Sequence, residues 1–243
     1  MHEPRVAVVT GGTGGIGRAI VERLLVDGWS VVATYQSNEE AAAIFAASHA
    51  NLAVIQANAA SGIDCQRTIE HALDRFGGLH HLVANAAINR DAPLVELSDS
   101  DWDAVIATNL SGVFRLMRAA LPAVTLSGHG RIVAISSVAA TMGNATQGAY
   151  AASKAGLVGL TATLAREVAH TGTTVNLVVP GPTSGTGMTA MADPKFVAAM
   201  ERKIPMQRLG SPREVAHVVR FLLDDDTSFT TGSSITVDGG LSM

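Results

Sequence analysis

Seven short runs rich in β-branched residues alternate along the chain with longer Ala/Leu-rich stretches, and no other feature restricts the fold as tightly. The runs are Val6–Val9, Ser30–Ala33, Leu52–Ile55, His81–Ala84, Arg131–Ile135, Thr174–Val179 and Ser234–Val237. Helical periodicity lies between them, near residues 15–27, 38–48, 62–76, 99–127, 148–170 and 211–224. The runs are apolar without strict alternation, as in strands buried on both faces of a parallel sheet. Strand–helix alternation of this kind predicts an α/β fold: a doubly wound sheet of about seven parallel strands with helices on both faces. No linker, repeat or low-complexity tract interrupts it, so residues 1–243 read as a single domain. Pro182 to Pro205 breaks the rhythm. Connections of that length are usually lids or binding loops, so a substrate lid is expected at about 182–205.

Composition narrows the partners. A hydrophobic fraction of 47% against 16% charged residues marks a chain that buries a core. A net charge of -4 offers no electrostatic footprint for nucleic acid. The single cysteine, Cys65, cannot form an internal disulfide, and no Cys/His cluster has zinc spacing, so no metal is expected. The apolar run Val6–Val9 is too short for a signal peptide, and no run approaches the ~18–20 apolar residues of a membrane span. These features predict a soluble cytoplasmic protein without a membrane partner.

The first run opens directly into Thr10-Gly-Gly-Thr-Gly-Gly-Ile-Gly17. Between a strand and a helix, such a cluster presents backbone N–H groups and the positive end of the helix dipole to a pyrophosphate. Gly12, Gly14 and Gly17 fit G-x-G-x-x-G; Gly11, Gly15 and Gly17 fit G-x-x-x-G-x-G. The first pattern calls for an acid at the end of the second strand to hold a ribose 2′-hydroxyl. That strand ends Ala33-Thr34-Tyr35-Gln36, with no acid before Glu39.

Tyr150-Ala-Ala-Ser-Lys154 puts a phenol and an ammonium on one helix face. A neighbouring ammonium should lower the phenol's pKa from its ordinary ~10 and fit it for proton exchange with a carbonyl. By itself the pair is a common surface accident. Here it follows a strand ending in Ser136-Ser137, whose hydroxyl could hold the same carbonyl oxygen.

Together these motifs resemble the short-chain dehydrogenase/reductase family of the G-x-x-x-G-x-G type, a Rossmann-type fold, over essentially the whole chain. Thr10-Gly11 through Gly15-Ile16-Gly17, Ala84-Asn85-Ala86-Ala87, Asn109, Ser137, Tyr150 with Lys154, and Pro180-Gly181 occur in the family's order. "TNLSGVFRL", "TMGNATQGAYAASKAG" and "FTTGSSITVDGGLSM" are similar to 3-oxoacyl-(acyl carrier protein) reductases of fatty acid biosynthesis. The resemblance implies a catalytic set of Asn109, Ser137, Tyr150 and Lys154. Tyr150 would be the general acid, Ser137 would orient the carbonyl, Lys154 would lower the tyrosine pKa and hold the nicotinamide ribose, and Asn109 would fix a relay water. Thr10, Gly11, Thr13, Gly15, Ile16 and Gly17 would form the cofactor loop. Tyr35 and Gln36 would meet the 2′ position, Asn58 with Ala59 the adenine, and Asn85 and Ala87 the adenosine half. Pro180, Gly181 and Thr183 would hold the carboxamide side, together with Tyr150 and Lys154.

The missing acid at Tyr35 and the reductase resemblance favour NADPH, with NADH as the alternative. Gly14 and Gln36 stand where a basic clamp on the 2′-phosphate is common. The implied substrate is a 3-oxoacyl thioester on a carrier protein or CoA. A small ketone, quinone, steroid or sugar is the second enzymatic reading, and a non-catalytic dinucleotide-binding subunit the third. Met188, Met191, Met200 and Met206 could line a variable acyl tail. Residues 126–129 and 169–172, expected at the active-site mouth, carry no lysine or arginine; only Arg131 and Arg166 lie near them, so steering of an acidic carrier should be weak. The family's usual state implies a homotetramer, with interfaces on the helices near 99–127 and 148–170 and the C-terminal strand region. His80 and His81 read as surface or satisfied strand-edge residues, and Asp224–Asp226 as a solvated cap.

Overall fold

The computed structural model describes residues 5–190 and 193–243, except for the side chain of Met188. Met191 lies outside these residues. Seven strands form one parallel sheet: β1 (Val6–Val9), β2 (Ser30–Tyr35), β3 (Leu52–Gln56), β4 (His81–Ala84), β5 (Arg131–Ile135), β6 (Thr174–Pro180) and β7 (Ser234–Val237). Their spatial order is β3-β2-β1-β4-β5-β6-β7. The order reverses between β1 and β4, so the crevice outside their carboxyl ends is where a ligand binds in such sheets.

The helices are α1 (Gly15–Val26), α2 (Glu39–Ala47), α3 (Gly62–Phe76), α4 (Asp99–Ile106), α5 (Val113–Leu126), α6 (Ala139–Met142), α7 (Gly148–Val168), α8 (Pro194–Glu201) and α9 (Pro212–Leu222). Alternate strand residues feed two cores, as the two-residue period of a strand requires. Val6, Val8, Leu82 and Ile132 pack with Ile69, Met117 and Leu157 from α3, α5 and α7. Ala7, Val9, Val83 and Val133 pack with Ile20, Leu24 and Val219 from α1 and α9. Short polar caps set the helix starts: Ser61 and Ser98 each accept from a backbone N–H three residues on, and Ser211 forms a capping box with Glu214.

Three expectations change. The periodic stretch 99–127 is not one α-helix: Ala107–Gly112 between α4 and α5 is π-helical. Asp99–Leu126 as a whole is long and apolar enough by composition to cross a membrane, but its apolar side, including Val105, Val113, Leu116 and Met117, packs into the protein. The segment 182–205 is more than a loop: its described residues hold a 3-10 turn at Gly187–Thr189 as well as α8. His81 is no surface residue: it is buried in β4, stacked on Trp29 with ring centroids 4.6 Å apart, and neither ring nitrogen has a hydrogen-bond partner. His80 accepts from the Val6 N–H at Nδ1.

Candidate active site

A cavity of about 890 Å³ runs along the carboxyl ends of the strands. At one end is the glycine turn. Thr34 accepts from the Gly11 N–H through Oγ1 and from the Gly12 N–H through its carbonyl, both at 3.0 Å. Thr10 Oγ1 accepts from the Asn85 and Ala86 N–H groups, also at 3.0 Å. These bonds pin the turn to the strands on either side. Gly11 and Gly15 have φ values of +62° and +51°, a region that disfavours other residues. A Cβ on Gly17 would lie 2.2 Å from the Gly11 carbonyl oxygen. Gly12 is confined as well, its added Cβ falling 2.8 Å from Ala33 Cβ, so it is Gly14 alone that separates the patterns: every glycine of G-x-x-x-G-x-G is constrained, and G-x-G-x-x-G has one that is not. A Cβ on Gly14 would meet no atom within 4 Å, and this residue opens onto the cavity at the N-terminus of α1. The turn thus fits a dinucleotide pyrophosphate: free backbone N–H groups, a helix dipole and space for phosphates.

Thr13, Gly15, Ile16, Tyr35, Gln36, Ala59, Asn85 and Ala87 line this half of the cavity, as expected. Three expected contacts do not. Thr10 and Gly17 lie behind the turn, where they shape it. Asn58 spends its side chain locally, Oδ1 accepting from the Ala60 N–H at 3.0 Å, and only its neighbour Ala59 reaches the cavity.

At the other end, β5 delivers Ser136 and Ser137, and α7 delivers Tyr150 and Lys154. The Ser137 hydroxyl hydrogen-bonds the Tyr150 phenol and accepts from the Ala139 N–H at 3.2 Å. Lys154 is fully buried; its Nζ donates to the Ile135 carbonyl at 2.7 Å and sits 5.7 Å from the Tyr150 ring centroid. Ser136 Oγ donates to the Lys154 carbonyl at 3.0 Å, tying helix to strand. Burial pulls the Lys154 ammonium down to about 8. The expected lowering of Tyr150 is not found: burial pushes the phenol up, and the Ser137 bond opposes this only in part. The ammonium is held by a backbone carbonyl rather than by the phenol oxygen.

The Asn109 side chain is used inside the protein. It is buried in the π-helical turn and does not line the cavity. Oδ1 accepts from the Ile88 N–H, while Nδ2 donates to the Ile88 carbonyl and to Ser153 Oγ. Ser153 in turn donates to the Tyr150 carbonyl at 2.7 Å. The side chain is thus committed to holding the Ile88 wall and the Tyr150 helix in place, with no amide hydrogen left for a water. Gly112, in the same turn, was not singled out by sequence; a Cβ there would meet the Ala59 carbonyl oxygen at 2.2 Å.

Pro180, Gly181 and Thr183 line the cavity, with Thr183 Oγ1 donating to the Gly181 carbonyl at 3.0 Å. A Cβ on Gly181 would lie 2.7 Å from Asp238 Cβ, so that close approach requires glycine. Of the lid methionines, Met200 lines the cavity and Met206 does not. Asn89, Met142, Asn144, Gln147, Phe196 and Lys203 also line it, none of them given a role from sequence. Asn144 and Gln147 stand just ahead of Tyr150 in "TMGNATQGAY", which is the signal that could have flagged them.

Residues 126–129 and 169–172 precede β5 and β6, so in a parallel sheet they lie at the edge opposite this cavity. Arg131 is buried there, donating to the carbonyls of Gly130, Gly172 and Asp224, and offers no docking charge.

The 3-oxoacyl-[acyl-carrier-protein] reductase of Escherichia coli (strain K12) is 42% identical over 241 residues, covering 99% of this chain and 98% of that protein. That of Staphylococcus aureus (strain Mu50) is 38% identical over 247 residues, covering both chains fully. A crystal structure described as a short-chain dehydrogenase/reductase, glucose/ribitol dehydrogenase, from Brucella melitensis superposes with a TM-score of 0.89 at 38% identity, covering 98% of this chain and 97% of that one. The chain belongs to the short-chain dehydrogenase/reductase family. Residues 11–242 match the family model described as enoyl-(acyl carrier protein) reductase. Membership makes this protein an oxidoreductase that uses NAD(P), in keeping with the glycine turn and the Ser137–Tyr150–Lys154 cluster.

Proposed function

We propose that this enzyme reduces 3-oxoacyl thioesters, linked to carrier protein or CoA, to 3-hydroxyacyl thioesters with NADPH. The observation that carries the reading is the Tyr150 phenol hydrogen-bonded to Ser137, beside a fully buried Lys154, in a cavity continuous with the glycine turn. The 38–42% identity to 3-oxoacyl-[acyl-carrier-protein] reductases supports the substrate class.

Gly11, Thr13, Gly15, Ile16, Asn85, Ala87, Pro180, Gly181 and Thr183 would hold the dinucleotide along the strand ends. Tyr35 and Gln36 line its adenosine end with no carboxylate to repel a 2′-phosphate, which favours NADPH. When bound, the cofactor supplies the hydride that makes the new C–H bond at carbon 3. The Ser137 hydroxyl holds the carbonyl oxygen in place for Tyr150. As the C=O π bond breaks, the phenol gives its proton to that oxygen, and the alcohol leaves. A phenol kept protonated by burial suits this direction, because the acid is loaded before the substrate arrives. The Lys154 ammonium stabilises the phenolate that remains. Asn109 acts as a positioning residue through Ser153. Exposed Phe114 on α5, Val158 on α7, and Phe221 and Phe229 near β7 support assembly as a homotetramer.

The test is oxidation of NADPH and NADH by the purified enzyme with acetoacetyl-CoA, carrier-bound 3-oxoacyl chains and a panel of ketones and sugars. The expected result is the highest kcat/KM for NADPH with a thioester. A clear preference for simple ketones would overturn the substrate, and a clear preference for NADH would overturn the cofactor.

A further inference from the structure

Lys154 and Lys203 are the only charged residues among those described that line the cavity; no carboxylate does. Lys154 is committed deep inside to the Ile135 carbonyl. Lys203 is exposed and has no ion-pair partner among the described residues. It follows α8 in a telling order. Phe196, Ala199, Met200 and Lys203 are spaced i, i+3, i+4 and i+7, and all four line the cavity. Phe196, Ala199 and Met200 share one face of α8, and Lys203 stands in the turn just past its end, its N–H bonded to the Met200 carbonyl, so an apolar stripe is followed by a cation. It matches an elongated ligand that is apolar towards the reacting carbon and anionic at its outer end.

The cofactor does not supply that anion. The segment after α8 is tied to the end of β7, with Ile204 buried and the Met206 N–H donating to the Gly239 carbonyl. Tyr35, at the adenosine end, closes β2, five strand positions away from β7. At the usual spacing that separation is about 24 Å, too far for Lys203 to reach a 2′-phosphate. The pyrophosphate belongs beside Gly15, at the head of α1.

We propose that Lys203 holds the phosphate of the substrate's pantetheine handle at the outer end of the cavity, with Phe196 and Met200 against the chain leading inward. The proposal rests on the thioester reading above and names the residue that recognises the handle. CoA and carrier protein share this phosphate. The loops expected at the active-site mouth lie at the other edge of the sheet, and among the described residues that line the cavity Lys203 is the exposed cation, placed to select a phosphate-bearing handle.

Calorimetric titration of the cofactor-loaded enzyme with 4′-phosphopantetheine and with pantetheine reads this without turnover. The wild type is expected to bind the phosphorylated form about fivefold more tightly at low salt, the upper range for an exposed ion pair. Lys203→Gln should erase the difference, Lys203→Arg should keep it, and added salt should shrink it in the wild type. Equal binding of the two ligands by the wild type would overturn the proposal, as would a difference that survives in Lys203→Gln. CoA and holo-carrier protein, titrated alongside, show which source the site accepts; failure of Lys203→Gln to weaken either also counts against it. An enzyme that discriminates the phosphate but turns over no thioester would sink the proposed function and leave this site standing.

Discussion

Two edges of the same sheet bury cations in opposite ways. At the amino-terminal edge, Arg5 pairs with Asp225, Arg220 bonds Asp27 and Asp224, and Arg131 is wrapped by three carbonyls. The Arg5 and Arg220 guanidinium groups lie 5.3 and 5.1 Å from the Trp29 ring centroid, over the ring that stacks on His81. Burial, His80 and the surrounding guanidinium groups hold His81 well below the usual histidine range, so it stays neutral among cations. Of the acid run Asp224–Asp226, read from sequence as a solvated cap, Asp224 does cap the following turn, accepting from the exposed Asp226's N–H, but Asp224 and Asp225 also belong to this network. At the carboxyl-terminal edge Lys154 is as buried as Arg131, yet among the described residues it has no carboxylate and a single carbonyl, with the Tyr150 ring 5.7 Å away. One edge offsets the cost of desolvation with partners; the other leaves a cation strained, as functional sites do.

That contrast can be broken in three ways. The largest effect should come from Tyr150→Phe, which removes the acid while keeping the ring. Turnover should fall by about 10³ with cofactor affinity preserved, measured by single-turnover kinetics and cofactor titration. A variant retaining more than a tenth of the activity would remove Tyr150 from the chemistry.

Next is Arg220→Ala, which leaves Asp224 without its ion pair and Asp27 with Arg23 alone, and removes one of the two guanidinium groups over Trp29. It should cost about 2–3 kcal/mol in denaturant unfolding and leave kcat unchanged. Arg220 holds the Asp224 carboxyl below its ordinary 3.8. A depressed carboxylate contributes stability above its unfolded value and loses it as pH falls through the folded one. The gap between wild type and variant should therefore narrow below about pH 4.

The smallest change in stability should be Lys154→Met, with the opposite sign. Lys154 falls from 10.5 to about 8 on folding, so its charge is a burden at neutral pH that is relieved between pH 8 and 10.5. The variant should be inactive yet more stable than wild type at pH 7, by roughly 2 kcal/mol after allowing for the lost bond to Ile135. The advantage should fade as pH rises to about 10. A variant less stable than wild type at pH 7 would show that Lys154 is as well satisfied as the arginines.

The strands were legible because each is a short apolar run between turns, and every one of the seven lies within two residues of where periodicity puts it. The glycine turn was legible as a ligand site from its own residues, and as G-x-x-x-G-x-G only through the family resemblance; the physical reason, the positive φ of Gly11 and Gly15 and the tight fit of Gly17, lies in the fold. Tyr150 and Lys154 were readable as a pair because helical spacing is local. Their protonation was not, because burial is set by strands far away in sequence. The same limit hid His81, which looks like a surface pair with His80 until Trp29 covers it. Asn109 could be located but its use could not, since Ile88 and Ser153 meet it only through the fold.

The π-helical turn at Ala107–Gly112 acts as a phase slip. An extra residue in one turn advances everything after it by about 100° around the axis. Without the slip, a helix as long as Asp99–Leu126 would present one continuous stripe to one neighbour. With it, α4 packs on α7 while α5 turns its own stripe towards α3 and the sheet. The rod thereby packs on α7 through one half and on α3 and the sheet through the other, and Asn109 sits at the joint, joined to the cavity wall through Ile88 and to the Tyr150 helix through Ser153.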